Sequence, residues 1–176
     1  NSDATNTNAG TEDNGVGSFT YVNFISNNFF DNTNNALSFG GYRNNSNNNL
    51  INGNIIKNNG GVGLNFQWGD VTTGFSNNIV ERNIVYNNGS DGIIICRDNN
   101  ILRKNIILKN NGNGIGISGT YIFNGLTINN NIISSNSRSA IDLSSNNNSD
   151  VYNNQILNSG KTGLSPAINM PSSYVS

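Results

Sequence analysis

Short apolar runs alternate with polar, asparagine-rich turns along most of the chain, and the alternation is repeated. Between residues 77 and 117, the sequence NNIVERNIVYNNGSDGIIICRD is followed by NNILRKNIILKNNGNGIGI, which repeats it after 22 residues. Within each run the apolar residues alternate with a period of two, whereas an amphipathic helix would place them at i, i+3, i+4 and i+7. The pattern therefore predicts short strands joined by turns.

One asparagine marks each repeat and gives its reference position. It falls at Asn28, Asn54, Asn83, Asn105, Asn131 and Asn154. An aliphatic residue precedes it by three positions and an apolar residue follows it by two. A small residue and then Leu or Ile follow nine and ten positions after it, or one position earlier in the first copy. Repeats of this length, each with three short strands, predict a parallel β-helix of about six stacked coils.

The recurring asparagine has a physical reason. Asn tolerates the left-handed backbone geometry of a sharp bend, and its amide can both donate and accept hydrogen bonds. Equivalent residues of stacked coils lie about 4.8 Å apart, so a column of buried amides can form a hydrogen-bonded ladder. A polar turn on the surface is the alternative interpretation for any one of these residues.

The repeat NNxIxxNxIxxNxxxGI resembles that of the right-handed parallel β-helix superfamily, over about residues 14 to 165. This group includes pectate lyases, mannuronan C5-epimerases, polysaccharide hydrolases, the periplasmic copper proteins of the NosD group and archaeal disaggregatase-type surface proteins. The resemblance implies an all-β, right-handed parallel β-helix and an extracellular or cell-surface location.

The ends of the chain are more polar and depart from the repeat. Residues 1–13 are predicted to be a polar tail or linker, 14–165 the β-helix, and 166–176 a C-terminal tail or cap. The chain enters the pattern in the middle of a coil, at residues 14–17, so we expect it to be part of a longer protein.

Composition excludes several kinds of partner. Only 11% of the residues are charged and the net charge is −1, so nucleic acid and anionic membranes are poor candidates. No apolar run is long enough to cross a membrane. The single cysteine, Cys96, is expected to face outward from its position in the third strand. It is expected to be a bystander thiol and not a nucleophile, because the chain has no histidine to activate it.

The spacing from the last apolar residue of the third strand to the first aliphatic residue of the next repeat varies from 7 to 14 positions, more than the other turns. Insertions in a repeat protein collect on one face, often the binding face. Aromatic, amide and charged side chains that could stack on sugar rings and bind their hydroxyls gather there. The predicted substrate-binding residues are Tyr42, Arg43, Gln67, Trp68 and Tyr121. The alternative is that the aromatic residues pack on the flank of the solenoid and hold the long loops.

The same face carries the candidate catalytic residues Asp70, Asp98, Asp142 and Arg97. Glycosidases need two carboxylates about 5 to 9.5 Å apart. Asp70 and Asp98 are predicted on adjacent coils, and Asp98 and Asp142 on coils about 10 Å apart. A lyase would instead use Arg97 or Arg43 as a base near a charge-neutralising group.

The motifs of the resembling enzymes are missing from this chain. It has no DPH triplet, no histidine and no aspartate cluster that indicates calcium, and one Met and one Cys do not suit copper. No cofactor is therefore expected. Two functions are left open. One is an extracellular carbohydrate-active module that binds a polysaccharide along the long-loop face, with or without cleaving it as a hydrolase or lyase. The other is a non-catalytic, adhesin-type structural or binding module of the cell surface. The partner expected for either is a polysaccharide or a cell-surface glycan.

Overall fold

The computed structural model describes residues 21–39, 46–66, 75–117, 124–144, 148–160 and 166–170. These residues form eighteen strands in three parallel sheets, A, B and C. Sheet A contains β1 (Asn23–Ile25), β4 (Leu50–Asn52), β7 (Ile79–Glu81), β10 (Ile101–Arg103), β13 (Asn124–Asn129) and β16 (Asn148–Tyr152). Sheet B contains β2 (Asn28–Phe30), β5 (Ile55–Lys57), β8 (Ile84–Tyr86), β11 (Ile106–Leu108), β14 (Ile132–Ser134) and β17 (Gln155–Leu157). Sheet C contains β3 (Leu37–Ser38), β6 (Leu64–Asn65), β9 (Ile93–Ile95), β12 (Ile115–Ile117), β15 (Ile141–Asp142) and β18 (Ile168–Asn169).

Each coil contributes one strand to each sheet, in the order A, B, C, and each strand pairs with its equivalents in the coils before and after. Val80, for example, lies between Ile51 and Leu102 in the register of sheet A. The predicted parallel β-helix of about six coils is therefore confirmed. Strand β18 lies inside the segment 166–176, and its Ile168 pairs with Ile141.

The core is a set of apolar columns, one coil above another. In the four central coils the inward residues of all three sheets are buried, apart from the half-buried Ile117 in sheet C. At the N-terminal end aromatic residues replace the aliphatic ones: the rings of Phe39 and Phe66 stack with centroids 4.5 Å apart, and Phe24 meets Phe39 edge-on at 5.4 Å. A narrow core of this kind needs few apolar residues per coil, which is why so polar a sequence can bury one.

Asparagines form the predicted ladder at the turn between sheets A and B, and the four central members are buried. Its members are Asn27, Asn54, Asn83, Asn105, Asn131 and Asn154. The prediction that Asn28 belongs to the ladder is wrong, because Asn28 lies exposed in β2 and Asn27 occupies the ladder position. The first repeat is displaced by one residue for the same reason: Phe24 and Phe29 face inward, whereas Ile25 and Phe30 are 48% and 42% exposed.

Two further ladders were missed from the sequence. Asn49, Asn78 and Asn100 are linked before sheet A, and Asn32, Asn59, Asn88, Asn110 and Asn136 are linked between sheets B and C. The sharp bend falls on the residue before each ladder asparagine. Arg82, Lys104 and Lys109, for example, have φ of 55°, 57° and 53°. The left-handed bend and the hydrogen-bonded amide therefore belong to two neighbouring residues, the bend to the first and the amide to the second.

Cys96 is buried, and the prediction that it faces outward is wrong. Its residue surface is 7% exposed, and its Sγ donates a hydrogen bond to the carbonyl oxygen of Phe66 at 2.7 Å. Burial raises the pKa of the thiol to about 12. The alternation of inward and outward side chains stops at Ile95, the last residue of β9, so Cys96 is buried directly after the buried Ile95. The period-two pattern of the sequence does not reveal where this alternation stops.

Candidate functional site

The outer face of sheet C carries a strip of mainly polar residues that crosses the coils. Its residues are Ser38, Asn65, Ile94, Gly116, Asp142 and Asn169. The turn that leads from sheet B into sheet C adds Asp91, Asn113 and Arg138 beside the strip. These nine residues are here called the C-face site. Gly116 leaves the middle of the strip without a side chain.

The carboxyl group of Asp91 lies in a space beside two glycines of the following coil. A Cβ atom at Gly112 would lie 1.9 Å from Asp91 Oδ1, and one at Gly116 would lie 2.5 Å from Oδ2. The two glycines therefore leave the space that the carboxyl group occupies. Asp91 Oδ1 accepts a hydrogen bond from the backbone N–H of Asn113 at 2.7 Å, and Oδ2 accepts a long one from Asn113 Nδ2 at 3.4 Å.

The surroundings of Asp91 favour its neutral form. Burial raises the pKa of this carboxyl, and the effect exceeds the lowering produced by the hydrogen bonds from Asn113 and the positive charge of Arg138. The negative charge of Asp142 raises the pKa of Asp91 further. A carboxylic acid that retains its proton above the usual pH is suited to donate that proton to a leaving group.

Asp142 is the second carboxylate of the C-face site. Gly116 separates the two acids: Asp91 lies over it, and Asp142 follows Ile141, which pairs with Ile115 on the neighbouring strand. Asp142 Oδ1 accepts hydrogen bonds of 3.0 Å from its own turn, at the N–H of Ser144, and from Asn169 Nδ2. No described residue donates to Oδ2, so this oxygen is available to a ligand.

Asn65 lies at the other end of the strip and has an unused acceptor. The residue is 4% exposed, and its Oδ1 has no hydrogen-bond partner among the described residues. An unpaired buried acceptor is costly unless a donor arrives. Between Asn65 and Gly116 stands the half-buried Ile94, which offers an apolar contact.

The structure places the other predicted site residues apart from this strip or does not describe them. Asp98 and Arg97 lie in the turn from sheet C to sheet A, where Asp98 Oδ1 accepts a hydrogen bond from the backbone N–H of Asn124 at 2.8 Å. Of the predicted catalytic residues that the structure describes, only Asp142 belongs to the C-face site. Asp70 and the five predicted substrate-binding residues, Tyr42, Arg43, Gln67, Trp68 and Tyr121, lie outside the described residues.

Asp91 was missed because the search of the sequence covered only the third strand of each repeat and the loop after it. Asp91 precedes that strand, in the column of Asn35, Val62 and Asn113, and nothing in its own repeat marks it. The signal lay one repeat later, in the pair Gly112 and Gly116, which together leave room for a neighbouring side chain. Such a signal becomes visible once the coils are aligned.

The described residues bring together no group of three His, Cys, Asp or Glu side chains that could hold a metal ion. They also contain no helix long and apolar enough to span a membrane. The C-face site offers carboxyl, amide and guanidinium groups.

Comparison with known proteins identifies the family. The family described as "Right handed beta helix region" matches residues 1–119 and 70–156. The chain belongs to this family. No curated protein sequence matches the chain significantly.

Two similar solved structures are those of the periplasmic alginate epimerase AlgG and of a point mutant of it. The mutant has a TM-score of 0.58 and 18% identity over 77% of this chain and 40% of its own. AlgG itself has a TM-score of 0.54 and 17% identity over 78% of this chain and 39% of its own. This β-helix chain thus spans about two fifths of the length of those structures, and at such identity the likeness establishes the fold alone.

Proposed function

We propose that this chain is an extracellular carbohydrate-active β-helix module that binds a polysaccharide along the C-face site. The strip runs along the solenoid axis, so a linear polymer can contact several coils at once. Amide and carboxylate groups suit the hydroxyls of sugars, and Ile94 offers an apolar contact for a ring face. The similarity in fold to an alginate epimerase supports a polysaccharide as the partner.

The observation that carries the proposal is the seating of Asp91 on Gly112 and Gly116, next to Asp142. Two carboxyl groups with different surroundings are the arrangement by which glycosidases divide acid and base roles. We therefore assign hydrolysis as the reaction. Asp91 donates its proton to the glycosidic oxygen as the bond to the anomeric carbon breaks. Asp142 takes a proton from the water whose oxygen forms the new bond to that carbon.

The Asp91→Asn variant removes the acidic proton but keeps a side-chain oxygen that can accept a hydrogen bond from the backbone N–H of Asn113. Asn35 Oδ1 already accepts such a bond from the backbone N–H of Val62 at 2.7 Å. We expect the release of reducing ends from a responsive polysaccharide to fall by at least about 100-fold. In the unchanged chain the rate should decrease as the pH rises through the pKa of Asp91. A reducing-end assay on alginate, polygalacturonate, xylan and chitosan measures both.

The matched controls separate chemistry from folding. Because the pKa of Asp91 is raised by folding, ionisation of Asp91 destabilises the folded chain above that pKa. The Asp91→Asn variant should therefore unfold at the same urea concentration as the unchanged chain, or at a higher one, at pH 7. Asp98→Asn, in the turn beyond sheet C, should retain activity. Equal activity in the Asp91→Asn variant and the unchanged chain would exclude the assigned acid. Binding without any new reducing ends would exclude hydrolysis and leave the non-catalytic surface module.

A further inference from the structure

A groove follows the corner where sheet B turns into sheet C, on the other side of this turn from the C-face site. Its volume is about 380 Å³. It is lined by Asn58, Asn59, Gly60, Asn87, Asn88, Gly89, Lys109, Asn111 and Ser137. These residues come from four consecutive coils, so the groove runs parallel to the axis for about 14 Å, roughly three sugar rings. It is here called the corner groove.

The shape of the corner groove follows from the repeat. One wall is the column of left-handed bend residues Asn58, Asn87 and Lys109, whose side chains are exposed. The floor is the buried amide ladder of Asn59 and Asn88. The opposite side contains Gly60 and Gly89, which have no side chain. The coils stack closely there, since a Cβ atom on Gly89 would lie 2.2 Å from the carbonyl oxygen of Gly60 in the preceding coil.

The corner groove has hydrogen-bonding groups that the protein does not use. Asn87 Nδ2 donates to Asn58 Oδ1 at 2.9 Å, and Ser137 Oγ donates to Asn111 Oδ1 at 3.4 Å. Among the described residues, nothing pairs with Asn58 Nδ2, Asn87 Oδ1 or Asn111 Nδ2. The groove therefore presents donors and an acceptor in a row, with the spacing of the coils, as the hydroxyls of a sugar chain require.

The charge of the corner groove selects among sugar chains. Lys109 lines it and makes no ion pair with any described residue, and no carboxylate lines it. In the bend column, the acidic member Asp31 lies three coils from Lys109, about 14 Å away. A ligand with a carboxylate or sulfate group near Lys109 therefore gains a charge-assisted hydrogen bond. Tyr86 and Leu108, which directly precede Asn87 and Lys109, add half-exposed apolar surface along the rim.

We infer that the corner groove is a second, non-catalytic binding site for an acidic oligosaccharide of about three sugar rings, with its anionic group at Lys109. The inference goes beyond the proposed hydrolysis at Asp91 and Asp142, because none of the nine residues that line the groove belongs to the C-face site. A polymer bound in the groove is held parallel to the strip on which the reaction is proposed. The groove thus serves to retain the polymer near the C-face site.

The test compares two lysines of the same coil. Lys109 and Lys104 are both exposed and both have positive φ, of 53° and 57°, but Lys104 lies at the corner between sheets A and B. Asn tolerates this backbone conformation, so Lys109→Asn and Lys104→Asn should fold alike. The probes are a mannuronate tetrasaccharide and a neutral mannan tetrasaccharide, titrated by calorimetry.

We expect Lys109→Asn to weaken binding of the mannuronate probe by at least about tenfold and binding of the neutral probe by less than about threefold. Lys104→Asn should change either affinity by less than about twofold. The affinities of the Lys109→Asn and Lys104→Asn variants are measured by calorimetry and do not depend on the release of reducing ends, so a failure of hydrolysis is distinguishable from a failure of this site. Equal losses in the two lysine variants, or no saturable binding of either probe, would overturn the inference.

Discussion

Replacement of Asn83 by alanine is expected to destabilise the chain by about 4 kcal/mol. Asn83 Oδ1 accepts hydrogen bonds from the backbone N–H and from Nδ2 of Asn54, both at 2.9 Å. Its Nδ2 donates to the carbonyl oxygen of Ile51 at 2.9 Å and to Asn105 Oδ1 at 3.0 Å. The residue is fully buried, so alanine would leave the groups of two neighbouring coils without partners and without water.

Urea denaturation followed by circular dichroism measures this change in the free energy of unfolding. The matched control is Asn28→Ala, since Asn28 is exposed and makes no hydrogen bond with a described residue, although the repeat pattern predicts it to be a ladder residue. Its free energy of unfolding should change by less than about 0.5 kcal/mol. Similar losses of unfolding free energy in Asn83→Ala and Asn28→Ala would show that the ladder hydrogen bonds do not account for the stability that Asn83 provides.

Replacement of Gly92 by alanine should cost about 2 to 3 kcal/mol, as overpacking of a close-packed core does. A Cβ atom there would lie 2.7 Å from the carbonyl oxygen of Gly114, 2.7 Å from Ile107 Cγ2 and 2.8 Å from Asn110 Nδ2. The contacts involve backbone, core and ladder of the next coil, so no single flexible group can move away. Urea denaturation again gives the loss in the free energy of unfolding.

The control for Gly92 is a position of the same column near the end of the solenoid. Ala140 is fully buried there, so that coil already accommodates a Cβ atom. Ala140→Gly should lose less than about 1 kcal/mol, chiefly through backbone entropy. If Gly92→Ala were as mild as Ala140→Gly, the central coils would be looser than the contacts of Gly92 indicate.

The sequence repeat was sufficient to predict most of the fold. The predicted columns are confirmed in the four central coils because each position there has an equivalent above and below, and a wrong register would turn apolar residues outward. In the first coil the prediction chose Asn28 in place of Asn27. The two asparagines are adjacent, and apolar residues are present in either register, namely Phe24 and Phe29 in one and Ile25 and Phe30 in the other. Packing against the next coil chooses Phe24 and Phe29.

The candidate site was less accessible to sequence reasoning. Outward alternation placed Asp142 on the open face of sheet C. Asp91 depends on a relation between coils, namely the space left by Gly112 and Gly116, and a single repeat does not contain it. The corner groove is likewise a product of stacking, since Asn58, Asn87 and Lys109 are ordinary turn residues until they form one column.

The central claim, that a polysaccharide binds along sheet C and the adjoining corner, is most directly tested by hydrogen–deuterium exchange on the unchanged chain. The exchange of backbone N–H groups would be measured with and without a saturating mannuronate tetrasaccharide. We expect slower exchange in segments 87–94, 109–116 and 136–142, and no change in segments 79–83 and 101–105, which form sheet A and its turn to sheet B. Unchanged exchange throughout, or slowing confined to 79–83 and 101–105, would contradict binding along sheet C.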